Sequence, residues 1–345
     1  MNLSTPPARR IPKPLARRGT RTLFPWLFCT FFAAAALAEG APPAPRGAEG
    51  KGRVMVVTVD DLVGVQVPGG SPADFRAMTE TLLGKLKAAD VPATGFVNMA
   101  KTRRDGRTVP ELAAILDLWL DAGMELGNHT FSHPSLHAVS PEVFEKDVVL
   151  GEEGLREAIE ARGGRLRYFR HPCLHTGRSL EVRQRVNDFL AARGYTVAPV
   201  TVDNGEWIYA SAYRCCFDLG DLEGARRIRE DYLGYMLRKV AYFEDQSRKL
   251  FDREVPQVLL VHANALNAHC IDRLLAGLRE RGYDFVPLAD ALADPAYASA
   301  DTFTGRGGIS WLHRWALSRG CKRDFFGDEP EVPRWVCEIA GVEGE

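Results

Sequence analysis

Two aspartates stand side by side in Thr58-Val59-Asp60-Asp61, and two histidines stand four residues apart in His129-Thr130-Phe131-Ser132-His133. Neighbours in an extended segment face opposite ways, so the two carboxylates need different partners. Histidines at i and i+4 share one face of a helical turn, a spacing used in metal sites. Each feature also has a plainer reading. An isolated Asp-Asp pair more often makes a turn or caps a helix, and a His ending an apolar strand, such as His262, is more often a hydrogen-bonded core residue. Three further clusters carry polar residues after apolar runs: Phe169-Arg170-His171-Pro172-Cys173, Asp203-Asn204-Gly205-Glu206-Trp207 and Leu259-Leu260-Val261-His262.

The elements that must position these residues follow from hydrophobic patterning. Val54 to Val59 is apolar and β-branched and reads as a buried strand ending at the Asp pair. Ser71-Pro72-Ala73-Asp74 opens a helix with Ser71 as its cap. Strands are expected at 93–99, 125–128, 166–170, 196–202, 257–262 and 283–287. Helices are expected at 109–122, 141–162, 179–193, 219–250, 271–281 and 288–293. Strand then helix recurs about seven times, which allows a doubly wound sheet or a barrel. No GxGxxG follows the first strand, which weakens the dinucleotide-binding reading. Asp60-Asp61, His129, Arg170, Asp203 and His262 fall at or just after the C-terminal ends of five expected strands, and in a barrel those ends converge on one mouth. The expectation is an α/β chain forming a distorted (β/α) barrel of about seven strands with a short C-terminal extension.

In this order the five clusters resemble the motifs of the NodB-homology domain of polysaccharide deacetylases, carbohydrate esterase family 4. The family patterns T-F-D-D, H-[ST]-x-x-H, R-x-P-[YW], D-x-x-D-W and L-x-H correspond to Thr58–Asp61, His129–His133, Arg170–Cys173, Asp203–Trp207 and Leu260–His262. The resemblance spans roughly residues 53–295. It departs at Leu62, where the family has Gly; at Cys173, where it has an aromatic; and at Glu206, where it has Asp. The Cys173 departure implies a different wall to the substrate groove.

The resemblance implies metal-dependent hydrolysis of N-acetyl groups from an N-acetylated polysaccharide or envelope glycan, with release of acetate. It assigns Asp61, His129 and His133 to a divalent metal, most often zinc, with an open position for water and substrate. It makes Asp60 the general base, held ionised by Arg170, and His262 the general acid, oriented by Asp203. The backbone N–H of Cys173 would bind the oxyanion, and Trp207 would line the acetyl pocket. Two other readings stand beside it: a sugar-binding pseudoenzyme on the same fold, and a hydrolase of another non-peptide C–N bond.

The rest of the chain bounds the setting. With 44 Lys+Arg against 45 Asp+Glu there is no polyelectrolyte signal, which argues against a nucleic-acid partner. Arg9, Arg10, Arg17, Arg18 and Arg21 precede the apolar run Thr22–Leu37, and Ala36-Leu37-Ala38 fits signal-peptidase cleavage before Glu39. Residues 1–38 are therefore expected to be a signal peptide and 39–52 a disordered linker. Residues 53–295 are expected to form the catalytic domain, and 296–345 an extension packing on it. The protein is expected to be exported, to the periplasm or beyond, with membrane attachment only through an uncleaved signal. Cys321 and Cys337 bracket a loop-like stretch and are the expected disulfide pair. Trp311 and Trp315 sit at i, i+4 on a short amphipathic helix expected to dock on the barrel.

Overall fold

The computed structural model describes residues 52–344. The expected signal peptide and nearly all of the linker lie outside the described residues. Among those described, no helix is long and apolar enough to cross a membrane.

Strand β1 (Arg53–Leu62) is buried from Met55 to Asp60, as a central strand covered on both faces must be. Helix α1 (Pro72–Ala88) begins with the expected Ser71 cap, completed by Asp74 in a capping box. There follow β2 (Ala93–Val97), a short hairpin of β3 (Arg103–Arg104) and β4 (Arg107–Thr108), α2 (Pro110–Asp121) and β5 (Glu125–Asn128). The long helix expected over 141–162 is two, α3 (Pro141–Leu150) and α4 (Leu155–Glu160), because Gly154 between them adopts φ +77°. Then come β6 (Tyr168–Phe169), α5 (Leu180–Ala192) and β7 (Thr196–Val197). A helix not anticipated, α6 (Glu206–Asp218), begins at the fourth motif, and α7 (Leu222–Phe251) follows it. The barrel ends with β8 (Gln257–His262), α8 (Ala265–Glu280), β9 (Tyr283–Phe285) and α9 (Leu288–Leu292).

Seven strands form one parallel sheet in the order β7-β6-β5-β2-β1-β8, with β9 pairing the start of β1. The sheet curls until its far edges meet. Beyond β7 the chain runs on to Val202, which bridges Leu259 of β8. There Val202 N donates to Val258 O at 3.0 Å, and Leu260 N donates to Val202 O at 3.3 Å. This is the distorted (β/α) barrel expected, closed at one seam by a single bridge. All five motif clusters lie at or just after the C-terminal ends of its strands or their extensions, at the mouth.

The C-terminal residues carry α10 (Trp311–Ser318) and α11 (Arg334–Ala340). Trp311 N donates to Val200 O at 2.7 Å, and Trp315 meets Phe251 and Tyr297 edge-on. Both indoles are buried, so neither offers a face for stacking on sugar. Cys321 is a free thiol, so the expected bridge to Cys337 does not form; Cys337 Sγ instead approaches Val332 O at 3.8 Å.

Candidate active site

At the end of β1 the chain turns sharply, with Asp61 at φ +69°. Asp60 and Asp61 pair with different cations, Arg170 and Lys101, yet both reach the same imidazole, that of His129. The Asp61 carboxylate meets two imidazoles: Oδ1 is 3.9 Å from His129 Nε2 and 3.7 Å from His133 Nε2. One ligand atom from each of Asp61, His129 and His133 lies within 4.8 Å of the others.

The histidine pair reaches this geometry by a route different from the expected one. Residues 129–133 form no helical turn; they follow β5 as an irregular loop in which Thr130 (φ +68°) and His133 (φ +63°) are left-handed. Left-handed non-glycine residues cost roughly 1–3 kcal/mol each and persist where their surroundings fix them. Two side chains invisible to motif reading do the fixing. Asn128 Oδ1 accepts from Thr130 N at 2.7 Å, and the Asp147 carboxylate accepts from Phe131 N, Ser132 N and Ser132 Oγ.

The three residues suit a divalent ion by their donor chemistry. His129 Nδ1 donates to Arg170 O at 2.8 Å, which fixes the tautomer and leaves the Nε2 lone pair toward Asp61. Burial holds the His129 and His133 pKa values down, keeping the rings neutral as metal ligation requires. Asp61 Oδ1 is buried and has no aligned hydrogen-bond donor among the described residues. Its pKa is lowered although burial opposes ionisation, because Lys101, His262, His129 and His133 surround it. Lys101 went unread in the sequence. It donates to Asp61 O at 3.0 Å and places Nζ 3.0 Å from Oδ1 as an ion pair.

Asp60 Oδ2 also comes within 3.8 Å of His129 Nε2, but its closest cation is Arg170. Arg170 Nη1 lies 3.4 and 3.3 Å from its two carboxylate oxygens. The guanidinium is wholly buried: Nη2 donates to Thr58 Oγ1 at 3.0 Å, Nε donates to Ala198 O at 2.8 Å, and the Phe96 ring lies 4.6 Å away. Burial pushes the Asp60 pKa up to about 6, with Arg170 the strongest opposing influence.

His262 ends β8 directly across the ladder from Asp60. Its Nδ1 lies 2.6 Å from Glu206 Oε2. This corrects the expectation for Asp203: the acid that orients His262 is Glu206, three residues on, because α6 starts there and turns that side chain beneath β8. Glu206 is fully buried, and its other oxygen accepts from Asn264 Nδ2 and, at 2.8 Å, from Asn267 Nδ2. Tyr232 donates to Asn267 Oδ1 at 2.6 Å. Burial works against a charged His262, yet Glu206, with Asp61 and Asp60 beyond it, pushes its pKa up to about 9. Asp203 Oδ1 accepts from Asn204 N at 3.0 Å, and its charge acts on Arg170. The departure at position 206 was the one sequence signal for Glu206; Asn264, Asn267 and Tyr232 gave none.

Cys173 lies at the mouth in the turn after Arg170, at φ +52°, close enough to Asp61 for that charge to help burial raise its thiol pKa. Trp207, on the first turn of α6, is 44% exposed.

A parallel barrel with these clusters at its mouth is the architecture expected of NodB-type deacetylases. The polysaccharide deacetylase family model matches residues 47–192, and over that stretch the chain is similar to the polysaccharide deacetylase family. The match takes in Asp60, Asp61, His129, His133, Arg170 and Cys173, and ends before Glu206 and His262. Similar solved structures include a Bacillus anthracis family 4 pseudoenzyme in a mutant form with restored activity, 20% identical over 70% of this chain and 67% of its own, TM-score 0.48. The peptidoglycan deacetylase PdaC of Bacillus subtilis is 20% identical over 70% of this chain and 90% of its own, TM-score 0.45. A family 4 carbohydrate esterase of Streptomyces lividans, in complex with acetate, is 20% identical over 70% and 95%, TM-score 0.44. No curated protein sequence matches the chain.

Proposed function

We propose that this protein is an exported, metal-dependent deacetylase that hydrolyses N-acetyl groups of an N-acetylated glycan and releases acetate. The observation that carries the reading is the placement of two opposed proton-handling groups around the Asp61–His129–His133 cluster: a carboxyl tuned to about 6 and an imidazole tuned to about 9. Between those values Asp60 is ionised and His262 protonated, the states a base and an acid need at the start of amide hydrolysis.

Asp61, His129 and His133 would hold the divalent ion, zinc by the mixture of nitrogen and oxygen donors; when bound, it supplies Lewis acidity toward an acetamide carbonyl and toward water. Asp60 takes the proton of the attacking water, with Arg170 holding its carboxylate in place. The backbone N–H of Cys173 stabilises the oxyanion. His262 protonates the departing amine, which otherwise leaves poorly, and Glu206 keeps the imidazole charged until then. Trp207 lines the acetyl pocket. Export rests on the basic and apolar N-terminal residues and the Ala36-Leu37-Ala38 pattern.

One observation favours a second reading. Lys101 Nζ stands against Asp61 as a fixed cation, and a chain that keeps it there in place of an ion would bind sugar without turning it over. Acetate release from a panel of N-acetylated envelope glycans by zinc-loaded protein, with and without chelator, separates the two. Chelator-sensitive acetate release supports the deacetylase. Glycan binding without acetate release, and without zinc uptake, would establish the binding protein instead.

A further inference from the structure

The turn that carries Cys173 is held from outside the barrel. Cys173 (φ +52°) and Leu174 (φ +54°) are consecutive left-handed residues with side chains beyond Cβ, a backbone that L-residues avoid and that surrounding contacts must enforce. Those contacts come from the C-terminal segment. Gly308 sits so close that a Cβ placed on it would lie 1.9 Å from the Cys173 carbonyl oxygen and 3.2 Å from Leu174 Cβ. Arg314, 1% exposed, donates through Nη1 to Leu174 O at 3.2 Å and through Nη2 to Thr176 Oγ1. Its own guanidinium is fixed by Asp301, to which Nε donates at 2.9 Å, and by the Trp311 ring 4.3 Å away. Asp301 is in turn held by Arg183, 3.2 Å from its Oδ1. A separate contact ties the same segment to the metal-loop side of the mouth. Arg306 O accepts from His137 Nδ1 at 3.2 Å, and His137 stacks on His175 at 3.9 Å.

We propose that the C-terminal segment is a working part of the active site: Gly308 and Arg314 are positioning residues that clamp the 172–176 turn so that the Cys173 N–H is aimed at the developing oxyanion. This inference rests on the deacetylase reading for its chemistry and on the packing alone for the clamp. Backbone donors stabilise an oxyanion only when held in position before the reaction, and losing one costs about 100-fold or more in turnover.

Two variants test it in the zinc-loaded full chain. In Gly308→Ala the new methyl group must displace the Cys173 carbonyl, and in Arg314→Lys one ammonium cannot reproduce the fork that reaches Leu174 O, Thr176 and Asp301 together. Each should lower kcat by about tenfold or more, with KM changed by less than about threefold, zinc content intact and the pH profile unmoved, because the acid and base are untouched. Amide hydrogen exchange supplies a readout that needs no substrate. Peptides covering 172–176 should exchange faster in both variants, while those covering 53–62 and 257–262 keep wild-type rates. Wild-type kcat together with wild-type exchange at 172–176 would overturn the clamp. Faster exchange there in variants of a protein that releases no acetate would keep the clamp and discard the deacetylase chemistry. Should Gly308→Ala fail to fold, Arg314→Lys carries the test, and general loss of protection across all peptides in it would likewise overturn a local role.

Discussion

On the β1 side of the mouth a carboxylate faces an arginine; on the β8 side an imidazole faces a carboxylate. Both pairs are buried, yet they pull in different directions. Arg170 approaches Asp60 no closer than 3.3 Å and shares its donors with Thr58 and Ala198, so burial prevails and the carboxyl stays weakly acidic. Glu206 meets His262 at 2.6 Å, with two asparagines completing its shell, so pairing prevails and the imidazole holds its proton. Contact distance and neighbouring charge both feed the difference: Asp61 opposes ionisation of Asp60, whereas Asp61 and Asp60 join Glu206 in favouring a charged His262.

The severest way to break the comparison is to delete the proton-handling group on either side. Asp60→Asn and His262→Ala should each reduce kcat for acetate release by about 100-fold or more, with zinc content unchanged, since neither is a proposed ligand. Near-normal turnover of an unactivated acetamide by His262→Ala would dissolve the acid side altogether. The ligand cluster gives an effect of similar size with a different signature. The His129→Ala/His133→Ala double variant should lose both turnover and bound metal, as measured by elemental analysis.

A sharper cut separates Glu206 from Asp203. Activity should decline below about pH 6, where Asp60 takes up a proton, and above about pH 9, where His262 gives one up. Glu206→Gln removes the charge that favours imidazolium and leaves burial to act alone, so the alkaline limb should move to lower pH. Asp203→Asn, whose carboxylate acts on Arg170, should leave the alkaline limb in place. Equal displacement by both variants would erase the distinction. The smallest effect belongs to Tyr232→Phe. It removes one hydrogen bond to Asn267 and should lower unfolding free energy by about 1 kcal/mol in denaturant titration, with kcat within a fewfold of wild type.

These contrasts also mark what the sequence could convey. Strands whose apolar run ends abruptly in a polar residue were legible to the residue: Glu125–Asn128 and Gln257–His262 begin and end where patterning puts them. The helix over 206–218 was missed because its first turn coincides with a motif and its start has no side-chain cap, only Gly205. The residues at the mouth were found by type and order. Their relations were not, because they depend on chain reversals that no local pattern encodes. His129 and His133 converge through left-handed residues rather than a helical turn, and the partner of His262 depends on where α6 begins. Lys101, Asn128 and Asp147 contribute through three-dimensional contact alone, with no spacing to betray them.

The register of β1 against β8 has a consequence of its own. Asp60 and His262 are opposite one another on adjacent parallel strands, so the separation of their backbones is set by the spacing of the hydrogen-bond ladder, about 4.8 Å between strands. That makes the barrel wall a caliper for the chemistry, indifferent to what surrounds the mouth. Rim segments that carry no proposed ligand or oxyanion donor, such as the tip of the β3–β4 hairpin, can be lengthened, recharged or reshaped to admit a different ligand, while the two jaws stay at the same opening. Retargeting such a protein is thus a problem of remodelling its rim, and leaves its tool unchanged.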